Sequence, residues 1–342
     1  MPVHAGRRRG RNGRAGGFSI KERALLKRFM SRRTIMWTAR VALTVLFVYI
    51  VNRSLTDTEL GSLPLFIRPP HVVLSFLLGL CGLYCHVKRW QIVLRYQGLP
   101  SGFRVAAKTY LLGILLAFVT PGRLGELFRG LPLSRNRKGD TVFAVIIDKL
   151  FILLATFVAG ILCVLAQVSL MHIPLPGRVV IMSGIAAALT AAVVLFLVYR
   201  KSPADKGGFP GHFFRLLNSA PRLFTRSGRN AVLLSLAAHV LLIGQTAVLV
   251  LMFGCGGMVK SIVALGQAYA FMAFIPFFIA NIGIREYSFG VFLHNMGFSC
   301  RGAVHVHGAA LGASAGVLLM NLILPALIGL VWGVAGTDLE KE

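Results

Sequence analysis

Acidic side chains are scarce in this chain: 11 Asp and Glu stand against 37 Lys and Arg. Charged residues of both signs make up only 14% of the 342 residues, where soluble domains carry about 25%. So few charges cannot cover a water-facing surface, which excludes an ordinary soluble domain. Cysteine is also sparse. Cys81, Cys85 and Cys163 fall inside apolar runs, where Cys behaves as a small hydrophobe. Cys255 and Cys300 would pair only if their loops faced the same side, and no disulfide framework is expected. No Cys-x-x-Cys occurs, and His305-x-His307 alone is too small a ligand set for a metal site. No metal, no cofactor and no catalytic residue is expected.

What the chain has in abundance is apolar sequence: 56% hydrophobic residues and a mean hydropathy of +0.73. That composition predicts an all-α polytopic membrane protein. The net charge of +26 sits mostly in the N-terminal arm and two loops, as the positive-inside rule requires of an inner-membrane protein. Nucleic-acid binding is therefore not needed to explain the basic pI.

Residues 1–34 form a basic arm, expected in the cytoplasm. Its first 17 residues are Gly- and Arg-rich and cannot build a core. Residues 19–30 read as an amphipathic helix that opens on a capping-box pattern, Ser19 and Glu22. Phe18, Leu25, Leu26, Phe29 and Met30 share a face, which suits an anionic cytoplasmic leaflet. Ser31-Arg32-Arg33 has the form of a twin-arginine signal. No small-residue cleavage site follows it, so no cleavable signal is expected.

Residues 35–336 read as one integral membrane domain, followed by a short tail at 337–342. Six full spans are expected, at 35–51, 71–87, 141–168, 178–199, 231–253 and 308–334. The last begins with Gly308, Gly312 and Gly316, a small-xxx-small pattern for close helix packing. The loop 200–229 carries seven basic residues and one acid, so it is placed inside. His239 and Gln245, within the fifth span, read as interhelical hydrogen-bonders.

Two further apolar segments are broken. Val105–Val119 is short of the ~20 residues needed to cross and is flanked by basic residues at both ends, so it reads as re-entrant from the cytoplasm. It ends in Thr120–Gly130, TPGRLGELFRG. If helix restarts after Pro121, then Arg123, Glu126 and Arg129 share one face, and the free N–H groups of the restart favour an anion. Ile262–Ala280 is interrupted at Pro276 and runs into Asn281-Ile282-Gly283-Ile284-Arg285-Glu286, read as a second re-entrant element from outside. Together these make eight hydrophobic segments. Broken elements in both halves, entering from opposite faces, suggest an inverted repeat.

Of the 11 acids, three lie in or against apolar sequence: Glu126, Asp148 and Glu286. Each has a cation close in sequence: Arg123 and Arg129, Lys149, and Arg285. Charges at membrane depth are costly, so they face a bundle interior and pair. The candidate site is thus Pro121, Gly122, Arg123, Gly125, Glu126, Arg129, Asp148, Lys149, Asn281, Gly283, Arg285 and Glu286. On one reading the pairs only staple broken helices. On the other they line one polar cavity in which Arg129, Lys149 and Arg285 attract a phosphate headgroup.

These residues carry a resemblance. TPGRLGELFRG, VIIDKL and NIGIREYSFGVFL, with Arg89-Trp90 and Gly98 after the second span, resemble the transmembrane, flippase-like region of lysylphosphatidylglycerol synthases and their stand-alone relatives, over roughly residues 35–335. Many relatives have Asp where Glu126 stands and Arg where Lys149 stands, and the chain has no soluble aminoacyl-transferase domain. The resemblance implies lipid translocation or a related lipid-handling role rather than lysine transfer, and supplies no substrate. With the cationic cavity, the expected cargo is an anionic phospholipid or polyprenyl-phosphate-linked lipid moved between leaflets of the cell membrane. Membrane lipids are then the partners, while protein partners are left undefined. The alternatives are an integral membrane enzyme of lipid or glycan modification, or a non-transporting accessory subunit of an envelope-lipid pathway. The topology has a direct check: a single cysteine introduced as Ser134→Cys should react with a membrane-impermeant maleimide only from the cytoplasmic side.

Overall fold

The computed structural model describes residues 68–130, 133, 138–171, 226–273, 281, 283–300 and 305–335. The basic arm with its 19–30 helix, the expected spans at 35–51 and 178–199, the loop 200–225 and the 337–342 tail lie outside the described residues. Among the described residues the architecture is all-α: α1 (Pro69–Tyr96), α2 (Phe103–Val119), a 3-10 helix (Pro121–Phe128), α3 (Lys138–Met171), α4 (Arg226–Met252), α5 (Met258–Ala273), α6 (Ile284–Asn295), α7 (Val306–Leu318), a π-helical turn (Leu319–Ile323) and α8 (Leu324–Ala335). Among the described residues, four helical stretches are long and apolar enough to cross a membrane: α1, α3, α4 and the continuous run Val306–Trp332. They coincide with four of the six expected spans, and the protein is a multi-pass helical membrane protein.

The burial pattern is inverted relative to a water-soluble fold. On α1, Leu74, Leu77 and Leu80 point outward while Ser75, Arg89 and Trp90 are fully buried. In a hydrocarbon solvent, apolar side chains gain little by hiding and polar ones must find partners inside the bundle. α1 begins with Pro69 and Pro70, tolerated where the helix leaves its first N–H groups unpaired. Its 28 residues extend about 42 Å. α4 is the central helix, and it runs antiparallel to α1: Arg89 reaches Ser235 at 3.5 Å, and Gly79 lies against the Gln245 amide.

Both broken elements are hairpins. α2 starts at the face where α1 ends, with Phe103 6.1 Å from Tyr84. At its end the Thr120 hydroxyl donates to the Leu116 carbonyl and accepts from the Gly125 N–H, both at 2.6 Å. That reverses the chain. The 3-10 helix returns along α2, so Gly125 lies against the Leu116 carbonyl and the Arg129 side chain crosses Gly113. The second hairpin descends along α5, whose Gly266 packs on Cys163 of α3, and returns along α6. Its 16-residue and 12-residue arms extend about 24 and 18 Å, short of the ~30 Å hydrocarbon.

Contrary to the sequence expectation, Cys255 and Cys300 form a disulfide, with Cα atoms 4.1 Å apart. It clasps the two ends of the second hairpin, which therefore enters and leaves by one face. That face is where α4 ends, opposite the face where α1 ends and α2 begins. Nothing local in the sequence brings residues 45 apart together; the pairing follows from the hairpin.

The small residues of α7 serve as expected, though as sockets rather than as a backbone contact: Gly312 receives the Phe253 ring and Gly316 receives Leu249, both from the α4 end. The π turn has a local cause. Pro325 has no N–H to donate back to the carbonyl four residues earlier, and the relaxed turn brings Asn321 to Gln245, where its Nδ2 donates to Oε1 at 2.6 Å.

A Cβ at Gly125 would stand 2.1 Å from the Leu116 carbonyl oxygen, whereas one at Gly244 would meet nothing within 4 Å. Gly125→Ala is expected to lower the stability of the detergent-solubilised protein by about 1–3 kcal/mol, the usual cost of overpacking. Gly244→Ala should leave it unchanged or slightly raised. Thermal unfolding of the two variants beside wild type checks this.

Candidate functional site

Asp148 lies on α3 with no exposed surface. Arg89 of α1 forks onto it, Nε to Oδ1 at 2.7 Å and Nη2 to Oδ2 at 3.2 Å. Arg129, just past the 3-10 helix, adds a third bond, Nη2 to Oδ2 at 2.5 Å. The Arg129 guanidinium also sits 3.9 Å above the Trp90 ring and 5.1 Å from that of Tyr110. The quadrupoles of those rings favour a cation there. Trp90 is held in turn by donating to the Thr109 hydroxyl at 3.0 Å.

The pairing differs from that read along the sequence. Asp148 is not paired with its neighbour Lys149, and Arg129 goes to Asp148 rather than to Glu126. Lys149 forms an ion pair with Glu126. Successive residues on a helix project about 100° apart, so Asp148 faces α1 while Lys149 faces the 3-10 helix. On that helix the repeat is three residues per turn, which keeps Glu126 and Arg129 on one edge. The Lys149 side chain is 37% exposed, whereas Asp148 is sealed. Among the described side chains, three cations and two carboxylates give this cluster a net charge of +1.

A second cluster forms at the start of α6. Asn281 and Gly283 both have left-handed backbone, φ 59° and 89°, a conformation that Gly adopts without the penalty other residues meet. The Gly283 N–H donates to Glu286 Oε2 at 2.5 Å, and the Ser314 hydroxyl of α7 donates to Glu286 Oε1. Both carboxylate oxygens are thus occupied. Arg285 donates through Nε to the Ser314 oxygen at 2.6 Å. Its Nη2 is buried without a hydrogen-bond partner, 3.7 Å from Glu286 Oε1.

A cavity of about 400 Å³ is lined by residues of both hairpins and of α1, α3, α4 and α8. Tyr110 and Ile114 reach it from the first hairpin, and Met272, Asn281 and Arg285 from the second. His239, halfway along α4, lines it too; its Nδ1 is 3.5 Å from the Thr156 hydroxyl and its Nε2 is buried without a partner. Asn321 and Gln245, joined to each other, form part of the wall.

The expected site residues therefore divide. Asn281 and Arg285 line the cavity, with Gly283 and Glu286 holding Arg285 in place. Glu126, Arg129, Asp148 and Lys149 stand in a separate cluster behind Tyr110 and His86, which also line the cavity and stack on each other at 5.9 Å. Gly125 makes the hairpin's close approach. Pro121 and Gly122 begin the 3-10 helix, and the side chain of Arg123 lies outside the described residues.

Sequence reasoning missed Arg89 as an ion-pair partner because it stands among loop cations, although Trp90 beside it was a signal. Tyr110 and Ser314 gave no local signal. His239 and Gln245 both bond between helices as expected, His239 to Thr156 of α3 and Gln245 to Asn321; that His239 also lines a cavity had no local signal. Removing Asp148 leaves two guanidiniums facing each other in a dry interior, so Asp148→Asn is expected to cost about 3–5 kcal/mol. Adding Lys149→Gln should not rescue it, because the two are not partners; denaturation midpoints of both variants decide this.

No curated protein matches the chain. The family model described as the lysylphosphatidylglycerol synthase TM region matches residues 37–329. That span takes in both hairpins, both charged clusters and the cavity between them. The chain therefore belongs to the lysylphosphatidylglycerol synthase transmembrane-region family.

Proposed function

We propose that this protein translocates an anionic lipid, a phospholipid or a polyprenyl-phosphate-linked lipid, between the leaflets of the cell membrane, with its N-terminus in the cytoplasm. The observation that carries this reading is Arg285: a guanidinium only 7% exposed, with one nitrogen lacking a hydrogen-bond partner, on a cavity lined by residues of both hairpins. A buried unsatisfied cation costs stability unless something anionic occupies the space in front of it. The start of α6 adds the partial positive charge of a helix N-terminus.

The cavity's lips support a lipid rather than a soluble anion. Phe76 and Leu80 of α1 and Leu324 and Ile328 of α8 line it and are themselves 36–50% exposed. Acyl or prenyl tails can stay among such side chains while the headgroup enters. Beyond Tyr110 and His86, the cluster of net charge +1 around Arg129 offers a second position on the way to the opposite face. Asp148, Glu126 and Glu286 keep the cations in place when no lipid is bound. The basic arm lies against the anionic cytoplasmic leaflet.

The test is lipid exchange in proteoliposomes, with acyl-chain fluorescent anionic lipid and dithionite quenching. Wild type is expected to expose the inner-leaflet probe. Arg129→Ala, checked for folding by gel filtration, should slow exchange by roughly tenfold or more, the effect of losing one charge-assisted interaction. Absence of exchange by wild type at every protein density, with and without an ion gradient, would move the enzyme and accessory readings ahead.

A further inference from the structure

We propose that the cavity selects a phosphate headgroup bearing neutral hydroxyl groups and rejects headgroups that carry an ammonium. This rests on the transport reading above and adds the chemical class it accepts.

Among the described residues lining the cavity, Arg285 is the one side chain of fixed charge, and no carboxylate faces in. The nearest acid, Glu286, has both oxygens engaged, one by the Gly283 N–H and one by Ser314. An ammonium would meet the Arg285 guanidinium at short range, while the one nearby carboxylate, Glu286, is already paired with Arg285 and does not line the cavity; like charges repel strongly in a site of low polarisability. An aromatic cage is the other way to hold an ammonium, and the two tyrosine rings among the described lining residues are already engaged. The Tyr110 ring already carries His86 on it and lies 5.1 Å from the Arg129 guanidinium. The Tyr269 ring is met edge-wise by His239 at 5.8 Å and Phe289 at 5.3 Å.

The remaining polar wall is neutral and has valences to spare. A carboxamide offers two donors and two lone pairs. The Gln245–Asn321 pair spends only part of these on its own bonds of 2.6 and 3.4 Å. His239 presents a buried Nε2 with no protein partner. Asn281 and His239 line the same cavity as Arg285, so a group whose phosphate meets Arg285 has them as neutral polar neighbours on the wall. A hydroxyl both donates and accepts, so it satisfies His239 in either tautomer and both amide functions. An ammonium can only donate. Glycerol-type and sugar-type phosphates fit; ethanolamine, choline and aminoacyl headgroups do not.

The experiment uses the full-length protein in proteoliposomes with three acyl-labelled probes: phosphatidylglycerol, which has charge and hydroxyls; phosphatidic acid, which has charge alone; and phosphatidylethanolamine, which has an ammonium. The expected order of rates is that order, with roughly tenfold or more between first and last. Arg285→Gln should collapse the glycerol-to-ethanolamine ratio, while Asn281→Ala should collapse only the glycerol-to-phosphatidic-acid ratio. If Arg285→Gln does not fold, Arg285→Lys should retain the first ratio. Competition by a short polyprenyl phosphate, or by free glycerol phosphate, each added alone, supports the proposal and identifies the source of the headgroup. Equal rates for phosphatidylethanolamine and phosphatidylglycerol overturn the selectivity while leaving transport standing. Failure of all three to move overturns both.

Discussion

A carboxylate that cannot reach water must be met by cations, and Asp148 is met by two. Its bonds to Arg89 and Arg129 tie α1, the returning arm of the first hairpin and α3 to one point. The hairpin depends on that tie. A 3-10 helix of eight residues has little intrinsic stability, and it lies along α2 at a distance that only glycine allows. The Trp90 ring beneath Arg129 and the Thr109 hydroxyl bound to Trp90 extend the same constraint into α2. One cation in excess of the carboxylates is the electrostatic consequence.

The second hairpin is held by different means. A covalent clasp joins its ends at one face, and a Ser314-centred network holds the start of α6. The two hairpins come from opposite faces, and residues of both line the cavity inside the bundle. There the backbone departs from regular helix three times: at the Thr120 reversal, at the left-handed Asn281 and Gly283, and at the π turn before Pro325. Irregular backbone at that depth is stable only when protein or a polar cavity satisfies it. The cavity and the irregularities are thus one structural fact, and polar side chains collect where the helices are broken.

That arrangement gives a lipid-handling protein its two necessities in one place. Under the proposed translocation, apolar lips on α1 and α8 keep tails in the bilayer, and the buried Arg285 guanidinium lies on the cavity behind them. The second charged cluster is separated from the first by the stacked His86 and Tyr110 rings. Cation positions on either side of a thin aromatic wall suit stepwise passage of a headgroup better than a single tight site.

The sequence by itself determined the class of molecule. Long apolar runs dictate membrane helices, and Pro, Gly and charge at the ends of two short runs dictate the broken elements, since those residues cannot continue a lipid-facing helix. It also marked Glu126, Arg129, Asp148, Lys149, Arg285 and Glu286, because a charge within apolar sequence is too costly to be idle. Only the tertiary structure decided who pairs with whom. Neighbours along a helix diverge by about 100°, so Asp148 and Lys149, adjacent in sequence, belong to different partners. The disulfide, the His239–Arg285 cavity and the role of Arg89 likewise arise from the register between helices far apart in the chain. That register is set by side-chain packing across the bundle, which no local pattern encodes.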